Sequence, residues 1–286
     1  MRALVIGCGY LGRRVAAIWR SESIEVSALT RTPQNAAALA EQGIEPIIGD
    51  VLLPETLRSL PETEILLYAV GYDRHAAATK RDVYVHGLAN VLEAWSPRVR
   101  RFLYISSTSV YGQDAGEWVD ETSETNPATA DGQIVLAAEE TVRQACPKGV
   151  ASVLRFSGIY GPGRLLRRIE SVRSGEPIAA NPDGFLNLIH VDDGATIVSR
   201  LAEREALQPT YLVTDDRPVR RREYYSLLAG LVGGGEPVFQ FDATARGAVG
   251  MNKRCSNARL KAELGDILRF PTFESGLAHA VGERTV

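Results

Sequence analysis

A glycine pattern near the start of the chain constrains its fold more than any other feature. Gly7, Gly9 and Gly12 form G-x-G-x-x-G directly after the apolar run Ala3–Ile6, where a helical periodicity begins. In that context the first glycine makes a tight turn, the second lets the backbone approach a pyrophosphate, and the third lets helix and strand pack closely. The helix N-terminus also attracts anions. We therefore expect a dinucleotide site here, the alternative being a strand–helix turn that is merely rich in glycine.

Short apolar runs alternate with helical segments through the first 155 residues, which is typical of a parallel α/β sheet. The predicted strands are Ala3–Ile6, Ile24–Leu29, Pro46–Ile48, Ile65–Val70, Phe102–Ser106 and Ala151–Phe156, and the predicted helices lie near 11–20, 34–42, 54–60, 79–95 and 130–145. We expect an α/β protein with a Rossmann doubly wound sheet in 1–160, to which 187–215 returns. Most of 161–286 would form a smaller substrate-binding region.

The composition is that of a globular protein: 286 residues are 45% hydrophobic and 23% charged, with a net charge of -3. Such values exclude disordered and fibrous classes and provide no basic field for nucleic acid. No apolar run approaches the roughly 20 residues of a membrane-spanning helix. Three cysteines without C-x-x-C spacing and four scattered histidines indicate neither a disulfide framework nor a metal site. We expect a cytoplasmic protein with a small-molecule substrate, and neither nucleic acid nor membrane as partner.

The residue after the second predicted strand discriminates between the two nicotinamide dinucleotides. An acidic residue there would hold a ribose hydroxyl, whereas an arginine would accept a 2′-phosphate. The chain has Arg31 and no carboxylate, which favours NADP(H) over NAD(H), unless Arg31 is only a solvated loop residue. Asp50 follows the third strand, where it would reach the adenine or cap the next helix. The predicted cofactor residues are Gly7, Gly9, Tyr10, Leu11, Gly12, Arg31, Asp50, Val51 and Ala69.

Three further motifs accompany the glycine pattern: YISSTSVYG at 104–112, LRFSGIYGPG at 154–163 and LIHVDD at 188–193. Together they resemble the extended short-chain dehydrogenase/reductase superfamily, and within it the bacterial NAD-dependent epimerase/dehydratase proteins that are similar to nucleoside-diphosphate-sugar epimerases. The resemblance implies an epimerase, dehydratase or reductase acting on a nucleotide-linked sugar or a similar carbonyl or hydroxyl substrate. It also implies a homodimer formed through the helices near 79–95 and 130–145.

In the superfamily that the chain resembles, a serine or threonine, a tyrosine, and a lysine four residues after that tyrosine carry the chemistry. Ser107, four residues before Tyr111, matches the serine and would orient a substrate oxygen. The helix near 130–145 aligns Asp131 with the tyrosine and Val135 with the lysine. The usual pair is therefore absent from its place, and a tyrosine needs a nearby cation to act as a base at neutral pH.

Several hypotheses remain open for the catalytic group. Asp131 would act as a carboxylate acid/base, or it would only cap its helix. Tyr111 or Tyr160 would deliver a proton, or would only pack in the core. The acidic residues Glu117, Asp120 and Glu121 would overhang a substrate, or would lie in a solvated loop. Alternatively, the protein would bind NADP(H) without turnover, as a redox sensor or scaffold.

The substrate side is predicted from the motifs after Phe156. The candidate substrate residues are Tyr160, Arg164 and His190, the last because the resemblance implies that this histidine's surroundings border the substrate. Arginines at 164, 167, 168 and 173 fall on a predicted helix, and the first three would share a face suited to a diphosphate. That face would equally be solvated, or, in a weaker hypothesis, would bind RNA or an acidic partner.

Overall fold

The structure, a computed structural model, describes residues 1–94, 99–242 and 252–282, without the side chains of Leu166 and Arg167. The strands are β1 (Arg2–Ile6), β2 (Glu25–Thr30), β3 (Glu45–Ile48), β4 (Ile65–Tyr68), β5 (Arg101–Ser107), β6 (Trp118–Val119), β7 (Ala151–Phe156), β8 (Gly158–Tyr160), β9 (Phe185–Leu186), β10 (Leu188–His190), β11 (Thr210–Val213), β12 (Val219–Arg220) and β13 (Arg254–Cys255). The helices are α1 (Gly12–Ser21), α2 (Pro33–Glu41), α3 (Gly87–Glu93), α4 (Ala130–Ala145), α5 (Leu166–Arg173), α6 (Val191–Ala202), α7 (Arg221–Val232), α8 (Ala258–Leu264) and α9 (Phe273–Gly282).

The central sheet is parallel and has seven strands in the order β3-β2-β1-β4-β5-β7-β11. The chain moves outward from β1 to β3, then returns to the other side of β1 with β4. In such doubly wound sheets, ligands bind at the carboxyl ends of the strands where the direction of winding reverses. The predicted Rossmann fold is therefore confirmed, and its reversal lies between β1 and β4.

One compact unit comprises Met1–Ser107, Ala130–Arg155 and Ala195–Tyr211. Its strands are apolar because both faces of the sheet are covered: every residue of β4 is buried, as are the last four of β1. On one face Leu66, Phe102 and Val153 pack against Leu88 of α3 and Ala138 of α4. This packing fixes α3 and α4 beside the carboxyl ends of β4 and β5.

The second unit comprises Thr108–Thr129, Phe156–Gly194 and the described residues from Leu212 onward. It contains three short strand pairs, of which β8–β10 and β6–β13 are parallel and β9–β12 is antiparallel. Helices α5 and α9 both pack on α7. Tyr224 and Leu228 of α7 form a core with Phe273 and Leu277 of α9.

Two predicted helices differ from the structure. The helix expected near 54–60 is only a 3₁₀ turn, Pro54–Leu57, because the Thr56 hydroxyl bonds back to the Leu53 carbonyl and Pro61 cannot continue a helix. The helix expected near 79–95 has a π-helical turn, Asp82–His86, before α3, and its predicted last residue lies outside the described ones. No helix in the described residues combines the length and apolarity needed to cross a membrane.

Candidate functional site

The glycine loop is held against the end of β4. Gly7 has φ +92°, and a Cβ at this position would overlap the backbone of Ala69 and Val70. A Cβ at Gly12 would lie 2.6 Å from the Gly7 carbonyl oxygen. The Ala69 amide donates to the Ile6 carbonyl at 2.7 Å, which anchors the contact. The protein's own packing therefore requires glycine at positions 7 and 12.

Gly9 differs from the other two glycines because its surroundings are open. A Cβ added to Gly9 would meet no described atom within 4 Å. Leu11, which precedes α1, makes no side-chain capping hydrogen bond within the described part of the chain. Amide groups at a helix N-terminus suit a phosphate. An open cradle beside an uncapped helix start fits the pyrophosphate of a dinucleotide.

Two arginines of α1 donate hydrogen bonds to the carbonyls of Cys8 and Tyr10, which flank Gly9 in the loop. Arg13 donates through Nε to the Cys8 carbonyl at 3.3 Å, and Arg14 donates through Nη1 to the Tyr10 carbonyl at 2.9 Å. The Arg14 guanidinium also stacks on the Tyr10 ring at 4.4 Å from its centroid. Burial raises the pKa of the Cys8 thiol to about 11, against the lowering effect of Arg13. The thiol is thus protonated at neutral pH and is a poor nucleophile.

Arg31 and Asp50 follow β2 and β3, on the opposite side of β1 from β4. Arg31 is exposed, and among the described residues nothing holds its guanidinium by a hydrogen bond or ion pair. It directly precedes Thr32, whose hydroxyl caps α2 by accepting from the Asn35 amide at 3.3 Å. Asp50 accepts from the Leu52 amide at 2.9 Å and so shapes its own turn. Arg31 is the more available of the two for a ligand.

The remaining predicted cofactor residues contribute through their backbone or through packing. Val51 is buried, and its methyl group lies where a Cβ on Gly87 would come within 2.7 Å. Its carbonyl accepts from Asn90 at 2.8 Å. Leu11 is also buried. A side-chain contact of Val51 or Leu11 with a cofactor is therefore disfavoured, whereas Ala69 contacts the glycine loop directly.

Asp131 has partners that the sequence analysis missed. It lies within the first turn of α4, one residue after the helix begins, so it is not the capping residue. Its carboxylate is 2.9 Å from Lys80 Nζ, and that ammonium lies 5.5 Å from the centroid of the Tyr84 ring. A lysine and a tyrosine thus stand beside the aspartate that the sequence prediction aligns with the superfamily's tyrosine. The sequence pattern K-x-x-x-Y at Lys80 and Tyr84 indicates that these two side chains share a helix face, because residues four apart do so.

The two serines at the end of β5 have different surroundings. Ser106 is buried, and its hydroxyl donates to the Glu139 carboxylate at 2.6 Å. Glu139 is fully buried and also pairs with Arg155 and Arg143. Ser107 is the last residue of the strand and is half-buried. Ser107 therefore lies at the ligand-binding edge of the sheet, while Ser106 belongs to an internal ion-pair network.

Tyr111 and the acidic loop after it are held by local contacts in the second unit. The Tyr111 hydroxyl donates to the Asp120 carbonyl at 2.7 Å, and only 1% of the residue is exposed. Hydrogen bonds from Thr122 and Ser123 lower the pKa of Asp120. Glu121 accepts from the Leu212 amide at 2.8 Å. Glu117 accepts likewise from the Ala115 amide. These contacts favour the structural interpretation of Tyr111 and of the loop.

Tyr160 and His190 lie inside the second unit. Burial raises the pKa of the Tyr160 phenol, whose hydroxyl has no hydrogen-bond partner in the described residues. His190 is fully buried and packs at 4.2 Å from Phe270, between ring centroids. Such positions require a change of packing before either side chain touches a substrate.

His190 is joined to Asp192 and His279, and their potential ligand atoms lie within 4.8 Å of one another. The Asp192 amide donates to His190 Nδ1 at 3.2 Å, so the proton of the neutral ring is on Nε2, which lies 3.2 Å from His279 Nδ1. A neutral histidine that binds a metal through Nε2 carries its proton on Nδ1. In His190, however, Nδ1 accepts a hydrogen bond from the Asp192 amide. The geometry therefore favours a hydrogen-bonded histidine pair over a metal ligand set.

One of the four arginines that were predicted to lie on a helix lies outside it. Helix α5 begins at Leu166, so the exposed Arg164 precedes it and the helical spacing does not apply to that residue. The side chain of Arg167 lies outside the described part. Arg168 approaches the Tyr224 ring at 6.0 Å, and Arg173 donates to the Val232 carbonyl at 3.1 Å. The prediction that Arg164 lies on this helix was wrong, because the helix begins two residues later, at Leu166.

Comparisons with known proteins agree with this geometry. The model of the "NAD dependent epimerase/dehydratase family" matches residues 3–213. A protein from Methylobacillus flagellatus, described as an NAD-dependent epimerase/dehydratase, has a similar structure with a TM-score of 0.78 and 33% identity, over 98% of this chain and 97% of that one. Protein YeeZ of Escherichia coli K12 is 24% identical over 94% of this chain and 96% of its own. A 4-hydroxy-2-methyl-3-oxo-4-farnesyl-3,4-dihydroquinoline-1-oxide ketoreductase of Stigmatella aurantiaca is 27% identical over 80% of this chain and 72% of its own.

Proposed function

The chain belongs to the NAD-dependent epimerase/dehydratase family, and from that membership we propose that it is an NADP(H)-dependent enzyme acting on a carbonyl or hydroxyl group. The observation that carries the proposal is the glycine loop at the reversal of the sheet. There Gly7 and Gly12 are required by packing, whereas Gly9 leaves a cradle that a side chain would fill. A bound nicotinamide cofactor supplies or accepts a hydride. The protein would hold its pyrophosphate on the loop amides and the start of α1.

The preference for NADP(H) is part of the same proposal. Arg31 is exposed, stands after β2 and has no partner among the described residues, which leaves its guanidinium for a 2′-phosphate. Ser107, at the end of β5, would orient the substrate oxygen. Substrates to test first are nucleotide-linked sugars, which the family suggests, and ketones, because a ketoreductase is among the relatives. A homodimer and a cytoplasmic location are further proposals.

The test is an equilibrium titration with NADPH and NADH, followed by nucleotide fluorescence. We expect NADPH to bind more tightly, and Arg31→Ala to weaken NADPH about 10- to 100-fold while changing NADH little, since a hydrogen bond to a charged group contributes roughly 1.5–3 kcal/mol. Arg200→Ala is the matched control, because Arg200 is an exposed arginine of α6 paired with Glu203. If neither nucleotide binds, the proposal fails.

A second candidate is a protein that binds NADP(H) and carries out no turnover. It is favoured by one observation: α4 contains neither a tyrosine nor a lysine, and Asp131 and Val135 are the residues predicted to align with the superfamily's pair. Two assays separate the candidates: aromatic ketones with NADPH, followed by loss of NADPH absorbance, and UDP-glucose with NADP⁺, followed by chromatography of the sugar nucleotide. Oxidation of NADPH by a ketone, or conversion of UDP-glucose, supports the enzyme. Tight nucleotide binding without either change supports the sensor.

A further inference from the structure

Lys80, Tyr84 and Asp131 form a cluster that brings two segments of the first unit together. Lys80 and Tyr84 are four residues apart and so share one face of the helical segment that includes the π-helical turn. Asp131 reaches Lys80 from α4 at 2.9 Å. Lys80 is mostly covered, with 21% of its side chain exposed, while the Asp131 side chain is 69% exposed. The cluster therefore has one side open to solvent.

The Tyr84 phenol lies at the carboxyl edge of the sheet. Its oxygen accepts a hydrogen bond from the Tyr72 amide at 3.3 Å, and Tyr72 belongs to the segment that leaves β4 after Ala69. A dinucleotide that crosses the glycine loop with its adenine half over β2 and β3 must place its nicotinamide half on the β4 and β5 side. Tyr84 is on that side, at the same edge as Ser107.

Tyr84 differs from the two other tyrosines on this face of the sheet. Tyr68 of β4 and Tyr104 of β5 are buried, at 1% and 3% exposure, and burial raises the pKa of both far above the usual range. Tyr84 is only partly covered, and the burial it has, together with the charge of Asp131, raises its pKa more moderately. The Tyr84 phenol therefore keeps its proton at neutral pH and is accessible enough to give it away.

We propose that Tyr84 is the proton donor to the substrate oxygen, and that Lys80 and Asp131 position it, in place of the tyrosine and lysine absent from α4. This inference rests on the proposed function. When a carbonyl carbon receives the hydride that NADPH supplies, its oxygen takes the Tyr84 proton. A C–H and an O–H bond replace the C=O π bond, the cofactor leaves as NADP⁺, and water reprotonates the phenolate. Lys80, over the ring, stabilises that phenolate.

The experiment observes Tyr84 itself and needs no substrate. The protein is labelled with carbon-13 at tyrosine Cζ, and the resonance lost in Tyr84→Phe is assigned to Tyr84. Ionisation of a phenol moves this resonance downfield. The nicotinamide ring is positively charged in NADP⁺ and neutral in NADPH. Because Tyr84 is protonated at neutral pH, each complex is titrated into the alkaline range where the phenol ionises. We expect the acid dissociation constant of Tyr84 to be about tenfold larger with NADP⁺ than with NADPH. Tyr225, on α7 of the second unit, should give the same shift in both complexes.

Two charge variants separate positioning from mere structural support. Lys80→Met should raise the pKa of Tyr84, because it removes a cation, and Asp131→Asn should lower it, because it removes an anion. A structural role alone would not give opposite signs. The proposal is overturned if NADPH binds by its fluorescence, NADP⁺ displaces it, and Tyr84 titrates alike in the two complexes, in which case the proposed function stands. If neither nucleotide binds, the proposed function fails first.

Discussion

Glu139 and Arg155 form a two-pronged ion pair inside the first unit, with Arg155 Nε donating to Oε1 at 3.0 Å and Nη2 to Oε2 at 2.8 Å. Glu139 is fully buried and Arg155 is 3% exposed. Ser106 and Arg143 donate to the same carboxylate, at 2.6 Å each. The ion pair thereby connects α4, which carries Asp131, to β7. The Ser106 hydroxyl connects the same carboxylate to β5, which ends at Ser107.

Glu139→Ala should destabilise the protein by about 3–5 kcal/mol, because it leaves the Arg155 cation buried without its carboxylate. Urea unfolding measures the loss. Glu140→Ala is the control on the next residue, since Glu140 is 57% exposed and pairs with Arg143 at 3.4 Å. That change should cost less than about 0.5 kcal/mol. Equal losses in the two variants would contradict the structural role of Glu139.

Gly9→Ala should keep the stability of the protein and lose nucleotide binding. A Cβ at Gly9 meets no described atom within 4 Å, so it disturbs only a ligand that approaches the loop. Gly12→Ala should instead lower the stability by about 1–3 kcal/mol, because its Cβ lies 2.6 Å from the Gly7 carbonyl oxygen. Thermal unfolding and NADPH titration of both variants provide the comparison. Unchanged NADPH binding in Gly9→Ala would remove the main support for the cofactor site.

The buried carboxyl group of Asp215 should make the stability of the protein depend on pH. Its side chain accepts from the Arg217 amide at 3.3 Å, while Oδ2 is buried without a hydrogen-bond partner among the described residues. Burial raises the pKa of Asp215 well above the usual value. The folded state therefore holds a proton that the unfolded state releases near pH 4, so this group's contribution falls as pH rises from about 4 to the folded pKa.

Asp215→Asn should remove that dependence, because an amide resembles the protonated carboxyl in shape and does not ionise. We expect a higher melting temperature than the wild type at neutral pH, and a difference that shrinks towards pH 4. Asp216→Asn is the control, since Asp216 pairs with Lys261 at 2.9 Å and is more exposed. A difference that grows on acidification would show the opposite sign and contradict the assignment.

The cofactor loop could be predicted from the sequence because its determinants are local. The strand, the three glycines and the helix follow one another between residues 2 and 21, so spacing alone indicates their geometry. The position of Arg31 after β2 follows from the same alternation of strands and helices. The close packing of Gly7 against Ala69 and Val70 could not be predicted in this way, because it brings the end of β4 against the loop from far along the chain.

The Lys80–Asp131 pair and the burial of Glu139 could not be predicted, because both depend on contacts between separate elements. A helix rich in glutamate and alanine is typical of a solvated surface, and the burial of Glu139 depends on its pairing with Arg155 of β7, which a helix pattern does not indicate. Likewise, a search for a lysine four residues after a tyrosine finds nothing on α4. The lysine reaches α4 from the segment before α3, which only the packing of those helices reveals.

The late position of β11 in the chain affects how the sheet folds during synthesis. It completes the sheet beside β7, although more than fifty residues separate the two strands in the chain. Until the ribosome has released residues 210–213, β7 exposes a row of unpaired amides and carbonyls to other nascent chains. Expression of a fragment ending near residue 160 would make that exposure permanent, so such a fragment should aggregate where the full-length chain does not.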